Sequence, residues 1–383
     1  MRIAPTDRKK VHVLQVTFGM GIGGMERVIM DLCRYVDPER FRFSICCLSV
    51  RGVLADQMET EGVPVHYFQN QTRLARYFRG FGLARLVSDS QVQVLHTHHT
   101  TAFVDGAIAR CMARVPVLVN TDHCKLYPFP WRRVLLERLS SMVANEVVAV
   151  SEHTRADLIR HEGIAPEKIS VIYNGVNVRL TRQDSAGELR RELGIPQTGI
   201  VIGAVARLEE QKGLDLLLRA VPVVLAQQPE AWFVLVGGGS REEALKELVA
   251  ALGISHRVLF TGWRRDAVDL IQTFDCYVSS SNFEGMPMSM LEAMALAKPI
   301  VSTAVGGIPE FVRPGETGVL VSTRDPRQFA DAILSVIATS GEAARLGANG
   351  KRLYETRFTA EAMAQQYGAL YEKHLARSRV RRP

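Results

Sequence analysis

The strongest constraint on this chain is a rhythm: short runs of β-branched and aromatic residues alternate with helix-length segments from end to end. Parallel strands need a crossover of a dozen or more residues, so this alternation predicts parallel sheets covered by helices. In the first half, strands are expected at residues 11–17, 43–49, 63–67, 92–96, 115–120 and 146–150. Between the first two, residues 26–35 place Val28, Ile29, Leu32 and Tyr35 at helical spacing. Residues 174–197, rich in Asn, Gly, Arg and Asp, interrupt the rhythm and mark a domain boundary. The pattern then restarts, with strands at 200–205, 232–236, 258–260, 276–279 and 299–302 and helices such as 213–225 and 241–251. The expected fold is α/β: two doubly wound Rossmann-like domains, residues 1–178 and 179–358, facing each other across a cleft. A helix at 359–375 is expected to pack back on the first domain, before a disordered basic end at 376–383.

Length and composition support this and narrow the setting. The 383 residues suffice for two cores, and 47% apolar with 23% charged residues is an ordinary globular balance. The longest apolar stretches, such as 199–206, fall short of the roughly 18 residues of a spanning helix. The opening MRIAPTDRKK has no apolar h-region, so a cytoplasmic location is expected. Six scattered cysteines without Cys-x-x-Cys spacing read as reduced thiols, with Cys46 and Cys47 buried in a strand. A formal charge of +7 suits an anionic partner: nucleic acid, a membrane surface or a phosphorylated substrate. No RNA-binding or helix-turn-helix signature accompanies it, so nucleic acid is not expected as a partner.

Open α/β sheets bind ligands beyond the carboxyl ends of their strands, which directs attention to the loops there. The first is GMGIGGMER, residues 19–27, whose glycines bring backbone amides close to an anion at a helix mouth. It is not a dinucleotide fingerprint, because the next strand ends at Ser49 and Val50 without an acid. The second holds Arg207 and Lys212, two cations beside a helix start, suited to stabilising a departing diphosphate. The third is SNFEGMPMSMLEAMALAKP, residues 281–299. Pro287 suits a first helical turn, so Glu284 precedes the helix and Glu292 lies inside it, and the two cannot form a proton-sharing dyad. Amides near Gly285 and Met286 can hold a sugar while Glu292 reaches another part of the ligand, such as ribose hydroxyls; the alternative is that Glu284 only caps the helix and Glu292 lies on a solvated helix face.

No Asp-x-Asp occurs, so the cations would take the place of a metal ion, and no metal or cofactor is expected. His96, His98 and His99 lie close together, but without a nearby set of Cys or carboxylate ligands they do not read as a metal site.

The second half carries further marks in a fixed order: Ala206-Arg207-Leu208 with Lys212-Gly213, LVGGG at 235–239, and TGW at 261–263. Then come Ser281-x-x-Glu284-Gly285-x-Pro287-x4-Glu292-Ala293-Met294-Ala295, Pro299-x-Val301 and Gly306-Gly307-Ile308-Pro309-Glu310. In these it resembles the family-4 retaining glycosyltransferases of the GT-B fold, over roughly residues 11–375. The resemblance implies that Arg207 and Lys212 bind the donor diphosphate, Glu292 the ribose, and Glu284 lies near the transferred sugar. It implies donor contacts from Gly23, Gly24, Gly237, Gly239, Trp263, Gly285 and Met286. It places His123 by the reacting carbon and His98 on the acceptor side. Ala206, Met286, Pro287 and Met288 depart from residues frequent in the family, which leaves the sugar open.

The expected activity is therefore metal-independent transfer, with retention, of a hexose from a nucleotide sugar, UDP-sugar foremost, to a glycan or lipid-linked glycan. That activity belongs to polysaccharide, lipopolysaccharide or exopolysaccharide synthesis. A nucleotide-sugar 2-epimerase of the same fold and a non-enzymatic nucleotide-binding protein remain as alternatives. Peripheral contact with the inner face of an anionic membrane is expected at two cationic, aromatic stretches. One holds Arg73, Arg76, Arg79 and Arg85 among Leu74, Tyr77, Phe78 and Phe81; the other, 125–133, holds Tyr127, Phe129 and Trp131.

Overall fold

The computed structural model describes residues 10–68, 79–182 and 185–380. In chain order the elements begin β1 (Val11–Gly19), α1 (Gly24–Tyr35), β2 (Phe41–Val50), α2 (Val53–Thr60), β3 (Val65–Tyr67), α3 (Arg79–Asp89), β4 (Val94–His98) and α4 (Thr100–Ala113). Next come β5 (Val117–Asp122), α5 (Trp131–Val143), β6 (Glu146–Ala149), α6 (Glu152–Asp157), β7 (Ile169–Val171) and α7 (Ala186–Glu192). They continue with β8 (Ile200–Val205), α8 (Leu214–Gln227), β9 (Ala231–Val236), α9 (Glu242–Ala251), β10 (Val258–Gly262), α10 (Ala267–Ile271), β11 (Cys276–Ser279) and α11 (Met288–Ala295). The last are β12 (Ile300–Thr303), β13 (Gly318–Val321), α12 (Pro326–Ile337), α13 (Ser340–Arg357) and α14 (Ala360–Val380).

The chain divides into two compact units, one of Met1–Gly175 with Ala360–Pro383, the other Val176–Thr359. The first is built on a seven-stranded sheet in the order β3-β2-β1-β4-β5-β6-β7 and the second on a six-stranded sheet, β10-β9-β8-β11-β12-β13. The strand pairs are parallel, as the rhythm predicts. Each order reverses once, between β1 and β4 and between β8 and β11, and a crevice opens at such a switch point.

Strands covered on both faces read as nearly continuous apolar runs: β8 is IVIGAV and β9 AWFVLV. In the second unit Ile202, Leu217, Phe233, Val301, Phe329 and Ile333 share one core. Within β8, Gly203 is required, because a Cβ there would lie 2.2 Å from the Phe274 ring. Helix α12 begins where its sequence says it should: Asp325 accepts a hydrogen bond from the Arg327 amide at 2.9 Å, and Pro326 occupies the first turn.

Two expected strands shift. β4 runs Val94–His98 rather than 92–96, and β5 runs Val117–Asp122 rather than 115–120. Their ends follow the ladder, in which Val13 pairs with Val94, Thr97 with Asn120 and His98 with Thr121. Backbone bonding is indifferent to side-chain polarity, and the polar residues find partners: Thr97 Oγ1 donates to Asn120 Oδ1 at 2.8 Å. The short strands β7 and β13 carried too few residues to register as a pattern.

The C-terminal helix belongs to the first unit. Tyr371 and Tyr367 are fully buried there, and Lys373 and His374 reach Glu146 Oε2 at 2.9 and 2.5 Å. It continues to Val380, past the expected end at Leu375, because the basic residues that follow are helix formers. Cys46 and Cys47 are buried in β2 as expected.

Candidate functional site

In the second unit the candidate residues gather on the two strands that flank its switch point. β8 delivers Arg207 and Lys212; β11 delivers the loop from Ser280 to Pro287. Lys212 Nζ meets Glu284 Oε1 at 2.5 Å, and Ser281 Oγ donates to the same oxygen at 2.7 Å. Glu284 is buried and Lys212 nearly so, at 6% and 16% side-chain exposure, so the pair is largely removed from water. Two cross-links hold the loops together: Asn282 N donates to Gln211 O at 2.8 Å, and Gln211 Nε2 to Phe283 O at 3.2 Å. Lys212, Ser281, Glu284, Ser289 and Tyr277 line a small recess here.

Glycines make this closeness possible. Gly306 has φ +56°, and a Cβ on it would lie 1.7 Å from the Glu284 carbonyl oxygen. Gly237, at φ +132°, leaves no room for a Cβ against Ala206 O, and Gly239 sits as tightly on Leu208 O. The loop after β9 is thereby laced to the loop after β8, with Leu208 N donating to Gly238 O at 3.0 Å. Arg207 stands exposed between them, its guanidinium 3.3 Å from Gln211 Oε1. Trp263, half exposed, lays its indole against Gly238.

Glu284 precedes α11 and Glu292 lies within it, half-buried in its second turn. Pro287 is the N-cap, and Gly285 is buried with the Met286 side chain beside it.

In the first unit the switch point brings β1 and β4 together. Gly23 is the N-cap of α1, which starts at Gly24 at the end of the glycine loop. His96 and His98, alternate residues of β4, share a fully buried face. His98 Nε2 lies 2.7 Å from Gln15 Oε1, and its Nδ1 lies 3.0 Å from His123 Nε2. With the Gln15 oxygen accepting, His98 carries its proton on Nε2 and its bare Nδ1 accepts from His123. His123 is thus protonated on Nε2 and presents Nδ1 as an acceptor. Loss of water, with other imidazoles nearby, lowers His123 to about 3 and His98 well below its ordinary value, so both rings are neutral at ordinary pH. His96 bonds to Tyr371 and Thr121, both at 2.7 Å, and His99 turns away to cap α4, so the three histidines do not converge on one point.

Sequence reasoning missed the anchor of the loop that carries His123. Lys125 Nζ is buried among Asp122, Glu137 and Glu162, at 2.7 Å from Glu162 Oε1. Tyr127 donates to that same oxygen at 2.5 Å. Burial pushes the Glu162 carboxyl up despite Lys125. Among the described residues this is the one acidic group spaced for a metal ion, and the ammonium already occupies its centre. Spacing of 3, 12 and 37 residues from Lys125 carries no local signal.

The expected membrane stretches fare differently. Arg73, Arg76, Leu74, Tyr77 and Phe78 lie outside the described residues. Arg79 is committed to Asp105 at 3.0 Å, while Arg85 and Phe81 are exposed. In the second stretch Lys125 is buried, Tyr127 stacks on His161, and Arg133 covers Phe129 at 4.0 Å; among its aromatics Trp131 alone stands well out in solvent. No described helix is long and apolar enough to cross a membrane.

Comparison with known proteins agrees with this geometry. Residues 22–180 match the family described as Glycosyltransferase Family 4, and residues 185–353 that described as Glycosyl transferases group 1. A D-inositol 3-phosphate glycosyltransferase of Corynebacterium diphtheriae is 31% identical over 78% of this chain and 75% of its own length. An Escherichia coli UDP-Gal:alpha-D-GlcNAc-diphosphoundecaprenol alpha-1,3-galactosyltransferase is 25% identical over 86% of this chain and 89% of its own. Among solved structures, Anabaena HepE in complex with UDP and glucose superposes with a TM-score of 0.84 at 26% identity, covering 95% of this chain and 100% of that one.

Proposed function

This chain belongs to the family-4 glycosyltransferases, and we propose that it moves a hexose from a UDP-sugar to a lipid-linked glycan, with retention of configuration and without a metal ion. The observation that carries the proposal is the Lys212–Glu284 pair with Arg207 at the β8/β11 switch point. The E. coli and Anabaena relatives, one acting from UDP-galactose on a diphosphoundecaprenol-linked sugar and the other holding UDP and glucose, supply the donor and acceptor classes.

In this reading the bond from the anomeric carbon to the diphosphate breaks first, and its electron pair leaves with UDP. Lys212 and Arg207 take up the growing phosphate charge in the manner of an oxyanion hole. The acceptor hydroxyl attacks from the face that the diphosphate leaves, and its proton passes to the departing phosphate oxygen. Glu292 holds the ribose hydroxyls, and the amides at Gly285 and Met286 hold the sugar with Glu284. His123, fixed by His98 and Gln15, accepts a hydrogen bond from the donor sugar through Nδ1, while a neutral ring avoids repelling positive charge on C1. Gly23 and Gly24 approach the phosphates, and Gly237, Gly239 and Trp263 complete the donor contacts; His98, expected on the acceptor side, is buried with both ring nitrogens engaged and acts by positioning His123 instead. No cofactor takes part, and the protein sits peripherally on the inner face of the membrane.

The test is transfer from a panel of UDP-sugars to a diphosphoundecaprenol-linked sugar in excess EDTA, with the product anomer read by NMR. Undiminished transfer giving the donor's anomeric configuration is expected. Loss of transfer restored by magnesium or manganese would overturn the metal-free reading, and epimerised donor without acceptor would overturn transfer itself.

A further inference from the structure

Helix α5 is inside out. At about 100° per residue, Trp131, Leu135, Leu139 and Met142 fall on one side, and that side faces solvent. Trp131 and Met142 are 68% and 69% exposed, and Leu135, Leu136 and Leu139 are exposed as well. The opposite side, turned toward the protein, is polar: Glu137, Ser140 and Ser141 are buried. Arg133 lies there too, donating to Thr100 Oγ1 at 2.6 Å.

The orientation cannot be exchanged for the usual one. Glu137 is bound by Lys125, whose ammonium also answers Asp122 and Glu162. Turning the leucines inward would take Glu137 from Lys125 and set apolar side chains against the buried Lys125, Asp122 and Glu162, which costs more than the leucines would recover. The fold therefore holds an apolar face in water and leaves it to a partner.

The charges around that face select the partner. The exposed charged residues of α5 are Arg132 and Arg138, and its single acid, Glu137, is buried. A second copy laid on this face would bring arginine against arginine with no carboxylate from the helix to answer. An anionic bilayer answers both features, with acyl chains for the leucines and headgroups for the arginines. Trp131, with Arg132 5.5 Å from its ring centroid, has the amphipathic character of an interfacial anchor.

We propose that α5 is the helix on which the protein rests in the plane of an anionic lipid bilayer. The proposal rests on the lipid-linked acceptor for its purpose, and on the inverted helix for its location.

The experiment is co-sedimentation of the full chain with phosphatidylglycerol/phosphatidylcholine vesicles and with phosphatidylcholine alone. The chain should partition onto the anionic vesicles and be released by salt. Leu135→Asp/Leu139→Asp should lower that partition about tenfold or more, as expected when buried apolar area is lost from an interfacial helix. Arg132→Ser/Arg138→Ser should lower it too, and remove the salt dependence. UDP affinity, measured by calorimetry, should be unchanged in both variants. Equal partition of wild type and the aspartate variant, or no partition at all, overturns the inference. So does a wild-type dimer, seen by analytical ultracentrifugation, that the aspartates dissociate without any vesicle binding. Failure of the wild type to bind UDP would instead count against the donor reading and leave the surface argument intact.

Discussion

Removing the ammonium of Lys212 should damage stability and nucleotide binding by separable amounts. At 2.5 Å and an effective dielectric of about 20, the gross attraction to Glu284 is about 6–7 kcal/mol, most of which is offset by desolvation. In Lys212→Met the carboxylate stays buried with Ser281 as its remaining partner, and truncating one member of a buried pair costs about 3–5 kcal/mol. Partial exposure of Lys212 and the surviving Ser281 bond place the expected loss at the lower end, about 3 kcal/mol. Glu284→Gln keeps an acceptor for Ser281 and leaves an ammonium that can reach water, so about 1–2 kcal/mol is expected. The double variant carries no uncompensated buried charge. The cycle should therefore show a coupling of roughly 1.5–3 kcal/mol, read from urea midpoints. Nucleotide binding separates the roles. Lys212→Met should bind UDP about 10- to 150-fold more weakly, the loss of one charge-assisted bond worth about 1.5–3 kcal/mol. Glu284→Gln should bind UDP at least as well as wild type, because it releases Lys212 for the diphosphate. Additive stabilities in the cycle, or equal loss of UDP affinity in the two single variants, would refute the reasoning.

Gly306→Ala must place a Cβ against the Glu284 carbonyl at φ +56°, so it should lose roughly 2–4 kcal/mol and lower turnover by shifting Glu284; a loss under about 1 kcal/mol would show that the loop can move aside. If Glu292 binds ribose, Glu292→Ala should weaken UDP and UDP-sugar in parallel by roughly 10-fold or more, and unchanged affinity in a folded variant returns it to a solvated helix face. Burial alone would raise the Glu146 carboxyl, but bonds from His374 and Lys373 hold it at about 2, below its ordinary 4.5. A depressed carboxyl contributes stability above the unfolded value that is lost as pH falls through the folded one, here between about 4.5 and 2, and amounts to roughly 3 kcal/mol. Urea midpoints taken from pH 6 to 2.5 should fall across that window in wild type and less steeply in Glu146→Gln.

Much of this was readable from residues alone, because it rests on local rules. Alternation of strand and helix determined two parallel sheets, and the polarity break after Asn174 marked where the second begins. Pro287 set the start of α11, separating Glu284 from Glu292. What lay beyond the sequence is what long-range packing decides. That Lys212 spends its charge on Glu284, 72 residues away, depends on two loops meeting where β8 pairs with β11. The His98–Gln15 contact that sets the His123 tautomer spans 83 residues and depends on β4 pairing with β1. Helix α5 shows the limit most plainly. Its sequence, WRRVLLERLSSMV, is amphipathic either way, and periodicity says only that it has two faces. Which face turns inward was decided by the buried Lys125, Asp122 and Glu162 beneath it: Glu137 bonds Lys125 there, whereas leucines would only seal those charges from water.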